Sequence, residues 1–187
     1  MASHAEALTR VKDVEALRDL DVSVRSAAVG NDLYIRHINP IGSYGGFVAK
    51  TAKVTADSFI GIRALVLDSA VVIGGSSLTG KSTARDFAKV INSTLAGSPQ
   101  VKEDAQVIKS HVLMGCVVTG NSVVVDSTIS FNAYVTGSLV EKSDIGEDRF
   151  LVDISVRSNI FEGYVKEGSD GKSWLYGDLW TPLRRIE

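Results

Sequence analysis

A glycine-rich segment in the middle of the chain has the residue types and spacing of a phosphate-binding loop. Residues 75–82 read Gly-Ser-Ser-Leu-Thr-Gly-Lys-Ser and satisfy the pattern G-x-x-x-x-G-K-S/T. In such a loop the backbone amides cradle phosphates, Lys81 would reach them, and the Ser82 hydroxyl would bind the metal ion. The apolar run 70–73 precedes the segment, and a helix would have to follow it.

Histidine is the other residue type that could carry catalysis, as a general base. The chain has three histidines, and only His111 lies inside its regular region, in Ser110-His111-Val112. His111 is therefore the best catalytic candidate, although a lone histidine is usually structural or faces solvent. A zinc site built from several histidines is not expected, and no metal is predicted. Cys116 cannot form an intramolecular disulfide and is interpreted as a small buried hydrophobic residue.

A six-residue period predicts the elements that position these residues. Apolar residues recur every six positions at Val48, Val54, Ile60, Val66, Val72, Leu78, Ala84 and Val90. Four residues after each stands a small or hydroxyl-bearing residue: Ala52, Ser58, Ala64, Ala70, Ser76, Ser82, Ala88 and Thr94. Six is a multiple of the strand period of two and is not a helical spacing. The pattern predicts short strands joined by corners, stacked so that each apolar residue is buried against its neighbours above and below.

This phase argues against the phosphate-loop interpretation. Leu78 and Ser82 occupy the two repeat positions, and Ala84, Ala88 and Val90 continue the same phase where the helix would be required. We therefore interpret the lysine and serine of the glycine-rich segment as repeat residues, and we predict no cofactor.

Beyond residue 95 the pattern continues with some steps of five residues, which indicates tightened corners. The inward position beside His111 is either Val112 or Leu113, so the direction of His111 stays open. The stretch 93–102 contains Pro99 and is predicted to hold a small loop that resets the register. Residues 48–156 would give roughly six coils and a height of about 30 Å.

Two flanking regions complete the predicted organisation. Residues 1–47 are expected to form an N-terminal helix and an irregular arm, with an apolar stripe along the helix at 3–20. Residues 157–187 are expected to form an aromatic hairpin around the Gly-Ser-Asp-Gly turn at 168–171. Both regions should cover exposed edges of the solenoid. The candidate interface residues are Leu8, Val11, Leu17, Trp174, Tyr176 and Trp180.

The repeat resembles that of the bacterial hexapeptide-repeat family of left-handed β-helices (LpxA-like and YdcK-like). Residues 60–64 (Ile-Gly-Ile-Arg-Ala) and 101–105 (Val-Lys-Glu-Asp-Ala) are good copies, and the entry at 45–54 is similar to the start of the YdcK-like branch. The resemblance implies an all-β fold, a parallel left-handed β-helix of triangular cross-section, commonly a homotrimer. That solenoid serves acyltransferases, carbonic anhydrases and purely structural proteins including phage particle components, so it does not select one function.

Composition narrows the function classes further. The net charge is −2, from 20 Lys and Arg against 22 Asp and Glu, and provides no basic field for a nucleic-acid partner. The longest apolar runs are too short to span a bilayer, so no membrane partner is expected. The first ten residues lack the apolar core of a signal peptide, which favours a virion or cytoplasmic location over signal-dependent secretion.

Two functions from different classes follow from these observations. The preferred hypothesis is a structural protein, a rigid trimeric β-helix that decorates or cements a larger assembly such as a phage or virus capsid. Its partners would be itself and another structural protein. The alternative is a hexapeptide-repeat acyltransferase that uses acyl-CoA, with His111 as the base. The shortage of histidines in the repeat favours the structural role.

Overall fold

The computed structural model describes residues 33–146, 150–153 and 155–157, and the backbone of three further strands up to residue 176. The described part is entirely β-structure without a helix, and the helix predicted at 3–20 lies outside it. The strands are β1 (Tyr34–Ile38), β2 (Tyr44–Ala49), β3 (Lys53–Val54), β4 (Phe59–Ile60), β5 (Leu65–Val66), β6 (Val71–Ile73), β7 (Ser77–Leu78), β8 (Thr83–Ala84), β9 (Lys89–Ile91), β10 (Thr94–Gly97), β11 (Gln100–Val101), β12 (Gln106–Ile108), β13 (His111–Met114), β14 (Val117–Thr119), β15 (Val123–Val125), β16 (Thr128–Ile129), β17 (Tyr134–Thr136), β18 (Leu139–Glu141), β19 (Asp144–Ile145), β20 (Phe150–Val152), β21 (Ser155–Arg157), β22 (Ile160–Glu162), β23 (Tyr164–Glu167) and β24 (Ser173–Tyr176).

These strands form three walls around one core. Sheet A has the order β1-β2-β5-β8-β11-β14-β17-β20-β24-β23, sheet B runs from β22 and β21 down to β3, and sheet C runs from β19 down to β4. Each strand from β2 to β18 pairs in parallel with the strand three places later, so the chain passes through the three sheets once per coil. The parallel β-solenoid predicted from the repeat is confirmed, and its left-handed sense stays a prediction.

The inward side chains form one column per sheet. In sheet A the column is Val48, Val66, Ala84, Val101, Val118, Val135 and Leu151, each paired in register with the next. All predicted inward residues from Ile60 to Val90 are fully buried, whereas Val54 is only partly buried. Burial of each aliphatic side chain contributes about 1.5–3 kcal/mol, and stacking makes that burial possible for such short strands.

The coils become shorter along the chain because their corners tighten. Val48 pairs with Val66 eighteen residues later, Ala84 with Val101 seventeen residues later, and Val135 with Leu151 sixteen residues later. In the second coil the corner between sheets B and C holds two glycines of positive φ, at positions 74 and 75, whereas in the third coil one such residue, Asn92, makes the turn.

The prediction of a small loop at 93–102 is wrong, because shortened corners reset the register instead. The segment holds β10 and β11, and both pair in parallel with the coils on either side. The inward residue after Val90 is Leu95, five positions on, so Ser93 fills the corner and Thr94 faces outward. The register is reset by removing one corner residue, and Pro99 simply occupies a buried corner.

A ladder of serines lines the corner between sheets B and C. Its members are Ser58, Ser76, Ser93, Ser110, Ser127 and Ser143, all buried. From Ser76 to Ser127, each hydroxyl accepts a hydrogen bond from the amide of the next serine, at 3.0–3.2 Å. Each also donates to a nearby carbonyl, as Ser110 does to Ile108 O at 2.7 Å. The ladder supplies hydrogen bonds that the strands, interrupted at the corner, cannot make.

Replacing Ser110 with alanine is expected to lower the free energy of unfolding by about 1–3 kcal/mol, because it leaves the buried Ser127 amide without its acceptor. Urea denaturation followed by circular dichroism measures the change. Thr128→Ala on the outer face of the neighbouring strand is the control and should cost less than about 0.5 kcal/mol. Equal effects of the two substitutions would show that the ladder contributes no stability.

Part of the edge at each end of the solenoid is covered. At the first coil, β1 pairs antiparallel with β2, and His37 Nε2 lies 2.8 Å from Ser58 O. Asn39 occupies the strand edge of sheet C, where its Oδ1 accepts from the Ile60 amide at 2.8 Å. At the other end β23 and β24 form the predicted antiparallel hairpin, and β24 extends sheet A beside β20. Strand β2 crosses the boundary placed between residues 47 and 48.

Candidate functional site

The glycine-rich segment 75–82 has the geometry of a solenoid corner and strand. Ser76 is a rung of the serine ladder, β7 follows it, and Gly80 turns the chain into the next corner at φ +66°. Lys81 is exposed, and the buried Ser82 hydroxyl donates to Leu95 O at 3.0 Å. Strand β8, rather than a helix, follows. The segment therefore lacks the strand–loop–helix geometry that holds phosphates, and the interpretation of Lys81 and Ser82 as repeat residues is confirmed.

His111 faces outward from sheet C. Its register partners on the adjacent strands are Thr94 and Thr128, and its side chain is exposed. Val112, and not Leu113, takes the inward position, which resolves the direction that the sequence left open. Within the described residues, no carboxylate or second histidine is hydrogen-bonded to His111, so this chain's described part supplies no partner that would orient it as a base.

The other chemically active residue types have structural roles. Cys116 is fully buried at the corner between sheets C and A, as predicted, where Ala64 and Ala133 occupy the corresponding positions. His37 joins the first strand to the serine-ladder corner. In the part of the chain that the structure describes, no group of three His, Cys, Asp or Glu side chains could hold a metal ion.

The predicted interface residues are separated along the chain. Trp174 and Tyr176 lie in β24, in register with Phe150 and Val152 of β20. Leu8, Val11, Leu17 and Trp180 lie outside the described residues. Their role as interface residues stays a prediction.

The outer face of sheet B carries an aliphatic stripe that the sequence reading missed. Ile73, Ile91, Ile108 and Val125 stand in register on β6, β9, β12 and β15, each half-buried and facing away from the core. The next two positions of this column are the charged residues Glu141 and Arg157, and Arg157 Nε lies 3.4 Å from Glu141 Oε2. We call these four residues the sheet B stripe. Its sequence signal was an aliphatic residue directly after the inward one in four successive coils.

The stripe differs from the matching column of sheet C. There the outward positions after the inward residue hold Gly61, Thr79, Ala96, Leu113 and Ser130. Sheet C thus presents a mixed column of mostly small and hydroxyl-bearing residues, whereas sheet B presents a continuous aliphatic row. A row of this kind lacks convergent polar groups for catalysis and fits another apolar surface.

No known protein family, curated protein or solved structure matches the chain. Among the described residues, no helix has the length and apolar character needed to cross a membrane.

Proposed function

We propose that the protein is a structural component, a rigid β-solenoid of the hexapeptide-repeat type that assembles through sheet B into a homotrimer and builds into a larger structure such as a phage or virus capsid. The sheet B stripe is the observation that carries this proposal. An enzymatic role finds less support, because the one histidine in the repeat is exposed between two threonines.

The stripe supports self-association because it is aliphatic, continuous and held in register by parallel pairing. Ile91 is fixed by parallel pairing to Ile73 on one side and Ile108 on the other, so the row moves little on binding. Contiguous apolar surface on a soluble protein marks an interaction site. A backbone that is already ordered before binding loses little conformational entropy on association. Three copies can each contribute one such wall around a common axis, which leaves sheet C for other contacts.

The self-association step is tested with the double substitution Ile91→Asp and Ile108→Asp. We expect the wild-type protein to sediment as a trimer and the variant as a monomer, because two buried carboxylates per subunit would have to be desolvated at the interface. Sedimentation equilibrium gives the mass, and circular dichroism checks that the variant is folded. Leu113→Asp on the outer face of sheet C is the control and should leave the trimer intact.

A wild-type protein that sediments as a monomer would contradict the proposal. The assembly role is tested separately by fractionating an extract of the native source on a density gradient. The protein should migrate with large particles that contain other structural proteins, and recovery only as a free trimer would count against a cementing role.

A further inference from the structure

Part of the outer face of sheet A, around β5, is buried, although Arg85 and Gln100 further along the same face are exposed. Leu65 on β5 and Leu67 directly after that strand face outward and are 1% and 6% exposed. Thr83 on the next strand, β8, is 5% exposed. No outward side chain of sheet B or sheet C within the described residues is buried to this extent. The three side chains do not belong to the core cluster, which contains the inward residues Val66 and Ala84.

The described strands of sheet A do not lie over these side chains. Arg36 lies across the ring of Phe47, 3.9 Å from its centroid, and covers that residue on β2. Leu65 and Leu67 are one strand further along the wall, and the described strands of sheet A lie beside them in the wall rather than over them. The burial is present in a single copy of the chain, so a second copy is not needed to explain it.

We propose that the N-terminal segment 3–20 of the same chain docks as a helix on the outer face of sheet A, over Leu65 and Leu67. The apolar stripe of the segment, which includes Leu8, Val11 and Leu17, supplies the surface that these leucines need. Eighteen helical residues are about 27 Å long, enough to cover the wall at this height. This inference does not rest on the proposed function.

The position of the chain selects this segment over the C-terminal one. The described chain begins at Leu33, directly before β1, and β5 is only two strands away in sheet A, about 10 Å. Residues 21–32 can span up to roughly 40 Å, so the segment reaches the leucines easily. Residues 177–187 follow β24, which lies at the opposite end of the same sheet.

Docking assigns the predicted interface residues of the N-terminal segment to a contact within the chain. Leu8, Val11 and Leu17 would then pack against the outer face of sheet A, and the segment would not be available to bind a neighbouring protein. The outer face of sheet B would remain open for assembly, because its stripe is only half-buried in the single chain.

The test measures how fast a thiol at position 65 reacts with a maleimide in the full-length protein. The parent is Cys116→Ala, which uses the residue that stands at the matching corners 64 and 133. We expect Leu65→Cys to react about tenfold more slowly than Leu113→Cys, the outward position on sheet C. Adding Val11→Asp and Leu17→Asp should speed the reaction at position 65 by about tenfold and leave position 113 unchanged.

Unfolding is monitored separately with the native thiol. Val11→Asp and Leu17→Asp in the otherwise wild-type chain should leave the fully buried Cys116 unreactive, which shows that the solenoid itself stays folded. A position 65 that reacts as fast as position 113 in the parent would overturn the proposal. Continued protection of position 65 after both aspartates are introduced would also overturn it and would point to another covering segment.

Discussion

Replacing Gly80 with alanine is expected to lower the free energy of unfolding by about 2–5 kcal/mol, whereas the same change at Gly75 should cost only about 1–2 kcal/mol. The two glycines have nearly the same backbone conformation, φ +66° and φ +69°. A Cβ atom at Gly80 would lie 2.3 Å from the carbonyl oxygen of Gly97 in the next coil, while a Cβ at Gly75 meets nothing within 4 Å. Gly75→Ala therefore loses stability only through the left-handed backbone conformation of the new alanine. Gly80→Ala has the same strain and adds a steric clash with the backbone of the next coil.

The comparison is made by urea denaturation of the two single variants beside the wild type. Gly75→Ala is the matched control, because subtracting its cost removes the shared conformational strain. The difference between the variants then reports the close approach of two coils at the corner between sheets C and A. Equal destabilisation would mean that the coils separate at no cost, which contradicts the tight stacking seen here.

These two glycines are also the ones that made residues 75–82 look like a phosphate-binding loop. In a functional loop both would be needed for contact with phosphates. Here one lets neighbouring coils approach, and the other occupies an open corner. The sequence could reject the motif because Leu78 and Ser82 keep the six-residue phase, and the phase is imposed by the whole stack rather than by eight residues. The solenoid fold was predictable for the same reason.

The tightened corners were not predictable from the apolar period alone. Two of the five-residue steps are made by one residue of positive φ followed by a serine whose hydroxyl donates back to the carbonyl two residues earlier. Asn92-Ser93 and Lys109-Ser110 do this, with hydroxyl-to-carbonyl distances of 2.7 Å. Lysine is not a typical residue for this conformation, so the turn signal was hidden. The visible signal was the serine recurring at the shortened spacing.

The outer faces were the least predictable part of the candidate site. In strands of two or three residues an aliphatic residue next to the inward position looks the same whether it faces solvent, another subunit or a covering segment. Ile91 and Leu67 both have this place in their coils, yet Ile91 is half-buried and Leu67 is only 6% exposed. Three-dimensional stacking separates them, because it shows which outward residues line up and which are already covered.

Truncating Leu95 to alanine is expected to lower the free energy of unfolding by about 2–5 kcal/mol. Leu95 is fully buried in β10, and Leu78 and Val112 lie directly below and above it in the inward column of sheet C. The rigid coils on both sides cannot collapse into the space that the side chain leaves. Because each coil contacts only its neighbours, the loss falls on one interface in the middle of the stack.

Two control substitutions in the same denaturation experiment show whether the destabilisation comes from the lost volume in the core. Leu95→Ile should cost less than about 1.5 kcal/mol, because the column already accommodates isoleucine at Ile60 and Ile129. Leu113→Ala, on the outer face of the adjoining strand, should cost less than about 1 kcal/mol because it creates no cavity. If truncation at position 95 cost no more than at position 113, the inward column would not be the main source of stability. A large cost at position 95 that isoleucine rescues would locate that source in the stacked aliphatic column of sheet C.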